Sequence, residues 1–137
     1  MTSRLNPYIS FSDNARQAME FYRDVFGGEL TVSTFGEFGA QGTPDADKIM
    51  HSELETPSGF TLMAADTPAG GPHDAGAAVA INLRGTDADE LRGYWHALSD
   101  TGRVLMPLEE QVWGDEAGMC VDRFGVRWIV NISQPQA

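Results

Sequence analysis

The chain has 137 residues, 42% of them hydrophobic and 21% charged, which fits one globular domain and is too apolar for a disordered chain. A net charge of −11 would repel phosphate backbones, so binding to nucleic acid is not expected. No apolar stretch approaches the roughly 20 residues that a membrane-spanning helix needs, and no signal sequence is visible. Cys120 is the single cysteine, which excludes an internal disulfide, and we expect a cytoplasmic protein without membrane contact.

The first half of the chain predicts a strand, a helix and three more strands. Residues 8–11 alternate polar and apolar side chains like a half-buried strand, whereas residues 13–28 place apolar side chains at helical spacing. Ser12, Asp13 and Asn14 offer side-chain oxygens to cap the first turn of this helix, and two glycines predict its end. Further strands are predicted at 29–35, 49–55 and 60–64, and a turn at 56–59 joins the last two.

The second half repeats this order after a segment rich in glycine and proline at residues 66–76. A strand at 77–83, a helix at 86–101 and strands at 103–106, 118–121 and 127–132 are predicted. We expect Thr86 to cap the helix with Asp89 as its capping-box partner. Since an offset of 73 residues superposes Ala15 on Ala88, the chain reads as a two-copy internal repeat.

The repeat predicts an α+β fold in which two βαβββ modules form a curved mixed sheet around a cleft. The modules are expected at about residues 1–66 and 76–137 of a single domain, joined by the linker 67–75. One helical stripe can cover only one face of each sheet. Because the other face must be buried against the second module, another chain or a ligand, we expect a small-molecule cleft between modules or in a dimer.

Several blocks of the sequence resemble PhnB-like proteins, which belong to the glyoxalase/bleomycin resistance/dioxygenase branch of the vicinal oxygen chelate superfamily. The blocks are residues 6–11 with 15–30, residues 48–54, residues 104–108, and the run from Val112-Trp113-Gly114-Asp115 through Gly118-Met119 to residues 122–128. They are spread over nearly the whole chain, and the last is long enough to be specific. The resemblance implies paired βαβββ modules, the glyoxalase/bleomycin-resistance/dioxygenase fold and a homodimer.

The resemblance also implies a divalent metal, held in enzymes of this superfamily by His or Glu side chains from four inner strands. Placing that motif on this chain puts the four ligand positions near Asn6, Met63, Ala78 and Ile129. None of these is a good metal ligand, so we expect no cofactor at the usual site. His51 and Glu53 lie two residues apart on one strand face and form an alternative pair, although a histidine hydrogen-bonded to a carboxylate is the commoner arrangement.

What remains is a lining suited to binding, in which aromatic, methionine, amide and guanidinium groups alternate along the inner strands. The candidate ligand-binding residues are Asn6, Tyr8, His51, Met63, Asn82, Trp113 and Arg127. Trp113 resembles an aromatic lid, and for Trp113 and Tyr8 packing in the core is the competing role. For Arg127 the competing role is a buried salt bridge to an Asp or Glu.

Three functional hypotheses follow. The first is a protein that binds or sequesters a small molecule without a metal, similar to bleomycin-resistance proteins, which bind cationic drugs in acidic dimer clefts. The second is a metal-dependent lyase, isomerase or dioxygenase with a non-standard site around His51 and Glu53. The third is a purely structural interaction module. The expected partners are a small-molecule ligand and a second copy of the chain.

Overall fold

The computed structural model describes residues 5–39, 42, 45–67 and 79–134, without the side chain of Phe38. The chain divides into two compact units, Met1–Ala75 and Gly76–Ala137. The first contains β1 (Tyr8–Phe11), α1 (Ala15–Phe26), β2 (Glu29–Thr34), a short 3-10 helix (Gly36–Phe38), β3 (Ile49–Glu55) and β4 (Thr61–Asp66). The second contains β5 (Ile81–Gly85), α2 (Ala88–Ser99), β6 (Arg103–Glu110), β7 (Glu116–Val121) and β8 (Arg127–Ile132). The predicted α+β fold of two βαβββ modules is therefore confirmed.

Each unit forms one four-stranded mixed sheet with the same connectivity. The strand order is β1-β4-β3-β2 in the first unit and β5-β8-β7-β6 in the second. The pairs β1/β4 and β5/β8 are parallel, and all other neighbours are antiparallel. The predicted linker 67–75 lies outside the described residues except for Thr67, as do the first two residues of the strand predicted at 77–83.

One face of each sheet is covered by the helix of its own unit. In the first unit, Met19 and Tyr22 of α1 are fully buried on the side where Leu54 and Leu62 of the sheet are buried. In the second unit, α2 buries Leu91, Tyr94, Trp95 and Leu98, and β8 alternates buried Trp128, Val130 and Ile132 with less buried neighbours. Because strand side chains alternate between faces, each sheet keeps a second face that its own helix does not cover. We call these the open face of the first sheet and the open face of the second sheet.

The helix caps differ from the sequence prediction. The side chains of residues 12–14 make no cap bond to α1; instead Asp66 of β4 accepts a hydrogen bond from the Ala15 N–H at 2.9 Å and another from the Ile49 N–H at 2.9 Å. For α2 the cap is Asp87, which accepts from the Glu90 N–H at 3.1 Å, so the assignment to Thr86 is wrong by one residue. A carboxylate at a helix N-terminus satisfies unpaired N–H groups and complements the helix dipole.

The last hairpin is longer than predicted. β6 continues through Pro107 to Glu110, and β7 begins at Glu116 rather than Gly118. Pro107 is tolerated because β6 is an edge strand, where a missing backbone donor costs no ladder bond. The register of β6 shifts between Val104 and Met106 and again between Met106 and Glu109. These irregularities interrupt the simple alternation of side chains along β6.

Two glycines after the helices explain why the same connection recurs. A Cβ atom on Gly28 would lie 2.0 Å from the carbonyl oxygen of Glu55, and one on Gly102 would lie 2.1 Å from that of Val121. Both distances are too short for a Cβ atom. Glycine is therefore required where the chain leaves the helix and passes close to the end of β3 in the first unit and of β7 in the second.

Candidate functional site

The register of the first sheet collects predicted site residues on its open face. Tyr8 pairs with Met63, Met63 with Glu53, and Glu53 with Thr31, so these four lie in one row across the sheet. Ser10 pairs with Ala65 and Ser33 with His51, which places those four on the same face. The rings of Tyr8 and His51 have centroids 6.3 Å apart. The structure therefore brings Tyr8, His51 and Met63 together.

Asn6 lies beyond the start of β1, at the edge of this group. It lines an open depression of about 610 Å³ together with residues of the β3–β4 hairpin; the remaining lining residues are Leu5, Glu55, Thr56, Gly59, Phe60 and Thr61. The hairpin turn is fixed by hydrogen bonds from the Thr56 N–H to the Phe60 carbonyl and from the Phe60 N–H to the Thr56 hydroxyl, both 3.0 Å. Asn6 and His51 thus belong to two ends of one face rather than to one cluster.

The open face of the second sheet holds Asn82 and Arg127. Asn82 pairs with Ile129, Ile129 with Met119, and Met119 with Met106, forming a largely apolar row. Arg127 pairs with Val121, and Val121 with Arg103, forming the neighbouring row. Sequence reasoning missed Arg103, Met106 and Met119, because only the register of β6, β7 and β8 shows that they share a face with Arg127.

Arg127 is half-buried and makes no salt bridge within the part of the chain that the structure describes. The ion pairs found there join Lys48 to Asp45 at 3.4 Å and Arg92 to Glu116 at 2.7 Å. The expected buried salt bridge of Arg127 is therefore not formed with any of residues 5–39, 42, 45–67 and 79–134, and for these residues the prediction is wrong.

The Arg92–Glu116 pair uses two guanidinium nitrogens, and this hydrogen bonding lowers the pKa of the Glu116 carboxyl below its ordinary value.

Trp113 lies at the tip of the β6–β7 hairpin, in a turn closed by hydrogen bonds from the Gln111 N–H to the Asp115 carbonyl at 2.8 Å and from the Gly114 N–H to the Gln111 carbonyl at 2.9 Å. Its side chain is 59% exposed and so does not pack in the core of its unit. Asp115, at the end of the turn, accepts a 3.0 Å hydrogen bond from the amide of Asn131 on the open face of the second sheet. The hairpin that carries Trp113 is thereby tied to that face.

Comparison with known proteins identifies the family. The Glyoxalase/Bleomycin resistance protein/Dioxygenase superfamily matches residues 4–130. The chain belongs to this superfamily. Protein YjdN of Escherichia coli (strain K12) is 24% identical over 144 residues, covering 96% of this chain and 97% of its own. The structure of protein PA1353 from Pseudomonas aeruginosa is 35% identical with a TM-score of 0.86, covering 98% of this chain and all of its own.

A PhnB protein from Bacillus cereus has the same fold, with a TM-score of 0.75, 21% identity, and coverage of 96% of this chain and 100% of its own. At this identity the likeness shows the fold. Neither α1 nor α2, each 12 residues long, has the length and apolarity needed to cross a bilayer.

Of the four ligand positions placed on this chain, the three that the structure describes do not fit the superfamily's metal. The register shows that Tyr8, rather than Asn6, is level with Met63, and that Asn82 is level with Ile129, while Ala78 lies outside the described residues. The amide of Asn6, the thioether of Met63 and the alkyl side chain of Ile129 make no set of ligands for a divalent cation, and Tyr8 and Asn82, level with the last two, do not complete one. His51 and Glu53 share a face of β3, but within the described ranges no group of three or more His, Cys, Asp and Glu side chains could hold a metal.

Cys120 has no nucleophilic role at this face. It is fully buried on the helix side of β7, where it pairs with Trp128. Burial, and then the charge of Asp122, raise the pKa of its thiol to about 11. The thiol therefore keeps its proton at neutral pH and packs as a small apolar side chain.

Proposed function

We propose that this protein binds or sequesters a small molecule without a metal, using the open faces of its two sheets. The observation that carries the proposal is the composition of the rows level with the superfamily's ligand positions. These rows present Tyr8 and Met63 on the first sheet and Asn82 and Ile129 on the second. Aromatic, thioether and alkyl surface with a few hydrogen-bonding groups is the usual lining of an organic ligand site.

Further support comes from polar groups that have no partner among the residues described. His51 makes a ring contact with Tyr8 and no hydrogen bond to Glu53, and Arg127 has no carboxylate partner there. Polar groups on a half-buried face are stabilised when a ligand or another chain supplies their hydrogen bonds. The tip residue Trp113, exposed in its own unit, is available to cover such a ligand.

The test is a metal measurement followed by a ligand screen. We expect plasma mass spectrometry on untagged protein, dialysed against a mild chelator, to find less than about a tenth of an equivalent of any divalent metal. A thermal-shift screen of organic compounds should then find binders that raise the melting temperature, because a ligand that binds only the folded state stabilises it. A full equivalent of metal, or no binder in a broad screen, contradicts the proposal.

A metal-dependent lyase, isomerase or dioxygenase around His51 and Glu53 is the second candidate, since both side chains lie on one strand face. The decisive variants are His51→Ala and Glu53→Gln, with His96→Ala as matched control because His96 is an exposed histidine on α2. For an enzyme of this kind, metal content and turnover fall in the first two variants and not in the control. If all three variants keep the same metal content and activity, this candidate is eliminated.

The proposal also includes a homodimer in the cytoplasm. Each sheet has a face that its own helix leaves uncovered, and a second copy of the chain is one way to bury it. The fully buried, single Cys120 is compatible with a reducing compartment. Analytical ultracentrifugation should give twice the mass of the chain, and a monomer at all concentrations would remove this part of the proposal.

A further inference from the structure

We infer that the ligand of the second sheet is an amphipathic anion: an apolar body carrying a carboxylate, sulfonate or phosphate that Arg103 and Arg127 bind. The inference rests on the proposed function and names the chemical class of ligand for the same face. The two arginines flank Val121 in one row of the open face, since Arg103 pairs with Val121 and Val121 pairs with Arg127. Neighbouring strands are about 4.8 Å apart, so the backbones of the two arginines are separated by roughly 10 Å.

This spacing suits recognition of one anionic group by both side chains. A guanidinium is always charged at neutral pH and presents donors in a planar fork that matches carboxylates, sulfonates and phosphates. Two long side chains that start on either side of a valine can lean over it and donate to the same group. The side chain of Val121 between them is apolar and offers neither guanidinium a hydrogen-bond partner.

The charge distribution supports an external anion. The chain has 20 acidic and nine basic residues, so carboxylates are abundant. Lys48 and Arg92 each have a carboxylate partner, whereas Arg103 and Arg127, like Arg16, Arg23, Arg84 and Arg123, have none among residues 5–39, 42, 45–67 and 79–134. Arg103 and Arg127 differ from the others in that they share one row of a sheet face. In so acidic a protein, two neighbouring arginines without a counter-ion are a local reversal of charge, which attracts anions.

An apolar floor lies directly beside the arginine row. The next row of this face consists of Met106, Met119 and Ile129. Met119 and Ile129 are two residues from Val121 and Arg127 along their strands, so the two rows are about 7 Å apart. Methionine side chains are flexible and polarisable and adapt to the shape of an organic molecule. Two acidic side chains lie near this face in the row beyond: Glu109 is level with Ala117, and Asp115 accepts a hydrogen bond from Asn131, so both are away from Arg103 and Arg127. A molecule with its anionic end on the arginines would lay its apolar part over the methionines.

The experiment compares an anionic probe with its neutral parent. Anilinonaphthalene sulfonate and N-phenylnaphthylamine share an apolar ring system, and both fluoresce more strongly when bound. The wild-type protein should bind the sulfonate more tightly than the neutral probe, and added salt should weaken only the sulfonate. In the double variant Arg103→Gln with Arg127→Gln, the affinity for the sulfonate should fall about 10- to 100-fold, because two charge-assisted hydrogen bonds are lost. The affinity for the neutral probe should stay within about twofold.

The matched control is Arg16→Gln with Arg23→Gln, which removes the same charge from exposed positions of α1 and should leave both affinities unchanged. Circular dichroism melts verify that each variant is folded, and the single variant Arg103→Gln, on the exposed edge strand, provides the comparison if the double variant unfolds. Equal affinity of the wild type for the two probes, or unchanged sulfonate binding in the folded variants, overturns the inference and leaves small-molecule binding intact. Failure of the proposed function is recognised separately, because the ligand screen then yields no binder of any charge.

Discussion

The buried carboxylate of Asp66 offers the sharpest test of how the first module is held together. It accepts hydrogen bonds from the Ala15 N–H, which opens α1, and from the Ile49 N–H, which opens β3, each at 2.9 Å. The substitution Asp66→Ala leaves both donors buried without their acceptor. An unsatisfied buried donor costs about 1–3 kcal/mol, so we expect a loss of about 2–6 kcal/mol in the free energy of unfolding.

Two further variants separate this long-range cap from a local one. Asp66→Asn keeps the size of the side chain and one carbonyl acceptor, so it should cost about half as much as the alanine variant, about 1–3 kcal/mol. Asn14→Ala removes the residue that precedes α1, but Asn14 makes no side-chain cap bond, so we expect a change below about 0.5 kcal/mol.

Urea unfolding followed by far-ultraviolet circular dichroism measures all three variants, because α1 contributes to the helical signal and the midpoint shifts with stability. The tryptophans are not used as the probe, since Trp95, Trp113 and Trp128 all belong to the second unit. If Asn14→Ala costs as much as Asp66→Ala, the helix is capped locally and the reasoning is refuted.

Three other predictions concern the second module. Burial raises the Cys120 pKa to about 11, whereas an unfolded thiol ionises near a pKa of about 8.5. The stability advantage of the wild type over Cys120→Ala should therefore be full below about pH 8.5 and shrink as the pH rises towards 11. Urea unfolding of both proteins at about pH 7 and about pH 10 measures this advantage, and a constant difference contradicts the prediction. Gly118→Ala should destabilise the folded protein by about 1–3 kcal/mol, because a Cβ there would lie 2.8 Å from the backbone of β6. Gly93→Ala on α2 has open space around the added Cβ and should stabilise the folded protein by about 0.5–1 kcal/mol. Thermal melts that rank the two variants in the opposite order contradict this account of the packing. Trp128→Phe removes the 2.9 Å hydrogen bond from the indole N–H to Asp122 and part of a fully buried side chain. The free energy of unfolding in urea should fall by about 2–4 kcal/mol. A loss below about 0.5 kcal/mol would mean that this hydrogen bond contributes little.

The secondary structure of this chain was largely predictable because both helices and several of the strands, such as β8, repeat their buried side chains with a simple period. The stripe of Ala15, Ala18, Met19, Tyr22, Val25 and Phe26 predicts α1, and all of these side chains except that of Val25 are buried in the structure. The cap of α1 was not predictable, since Asp66 is 51 residues from Ala15 and no local pattern joins them. Edge strand β6 was predicted too short, because Pro107 is read as a strand breaker until its place at the sheet edge is known.

The candidate site was only partly predictable, because a face is defined by register and not by composition. Alternation alone correctly placed Met63 with Thr61 and Ile129 with Arg127 on the same faces of their strands. It could not show that Tyr8 is level with Met63, because a parallel pair has no hairpin turn to fix its register. It also could not assign Arg103 to a face, since the irregularities of β6 interrupt the alternation.

The two modules show why the net charge of the chain does not indicate the charge of its ligand. In the first sheet, Glu29 pairs with Glu55 and Glu55 with Thr61. The equivalent row of the second sheet consists of Arg103, Val121 and Arg127. This row therefore carries two carboxylates in one copy of the repeat and two guanidinium groups in the other, although only Glu29 and Arg103 exchange opposite charges at the same position. Since fields from charges on a surface decay within about 10 Å at physiological salt, a ligand on the second sheet responds to its two arginines far more than to a total of −11. The row that a ligand contacts, and not the total charge, should therefore decide the sign of the charge that the ligand carries, and we expect the second sheet to bind an anion in spite of the acidic total.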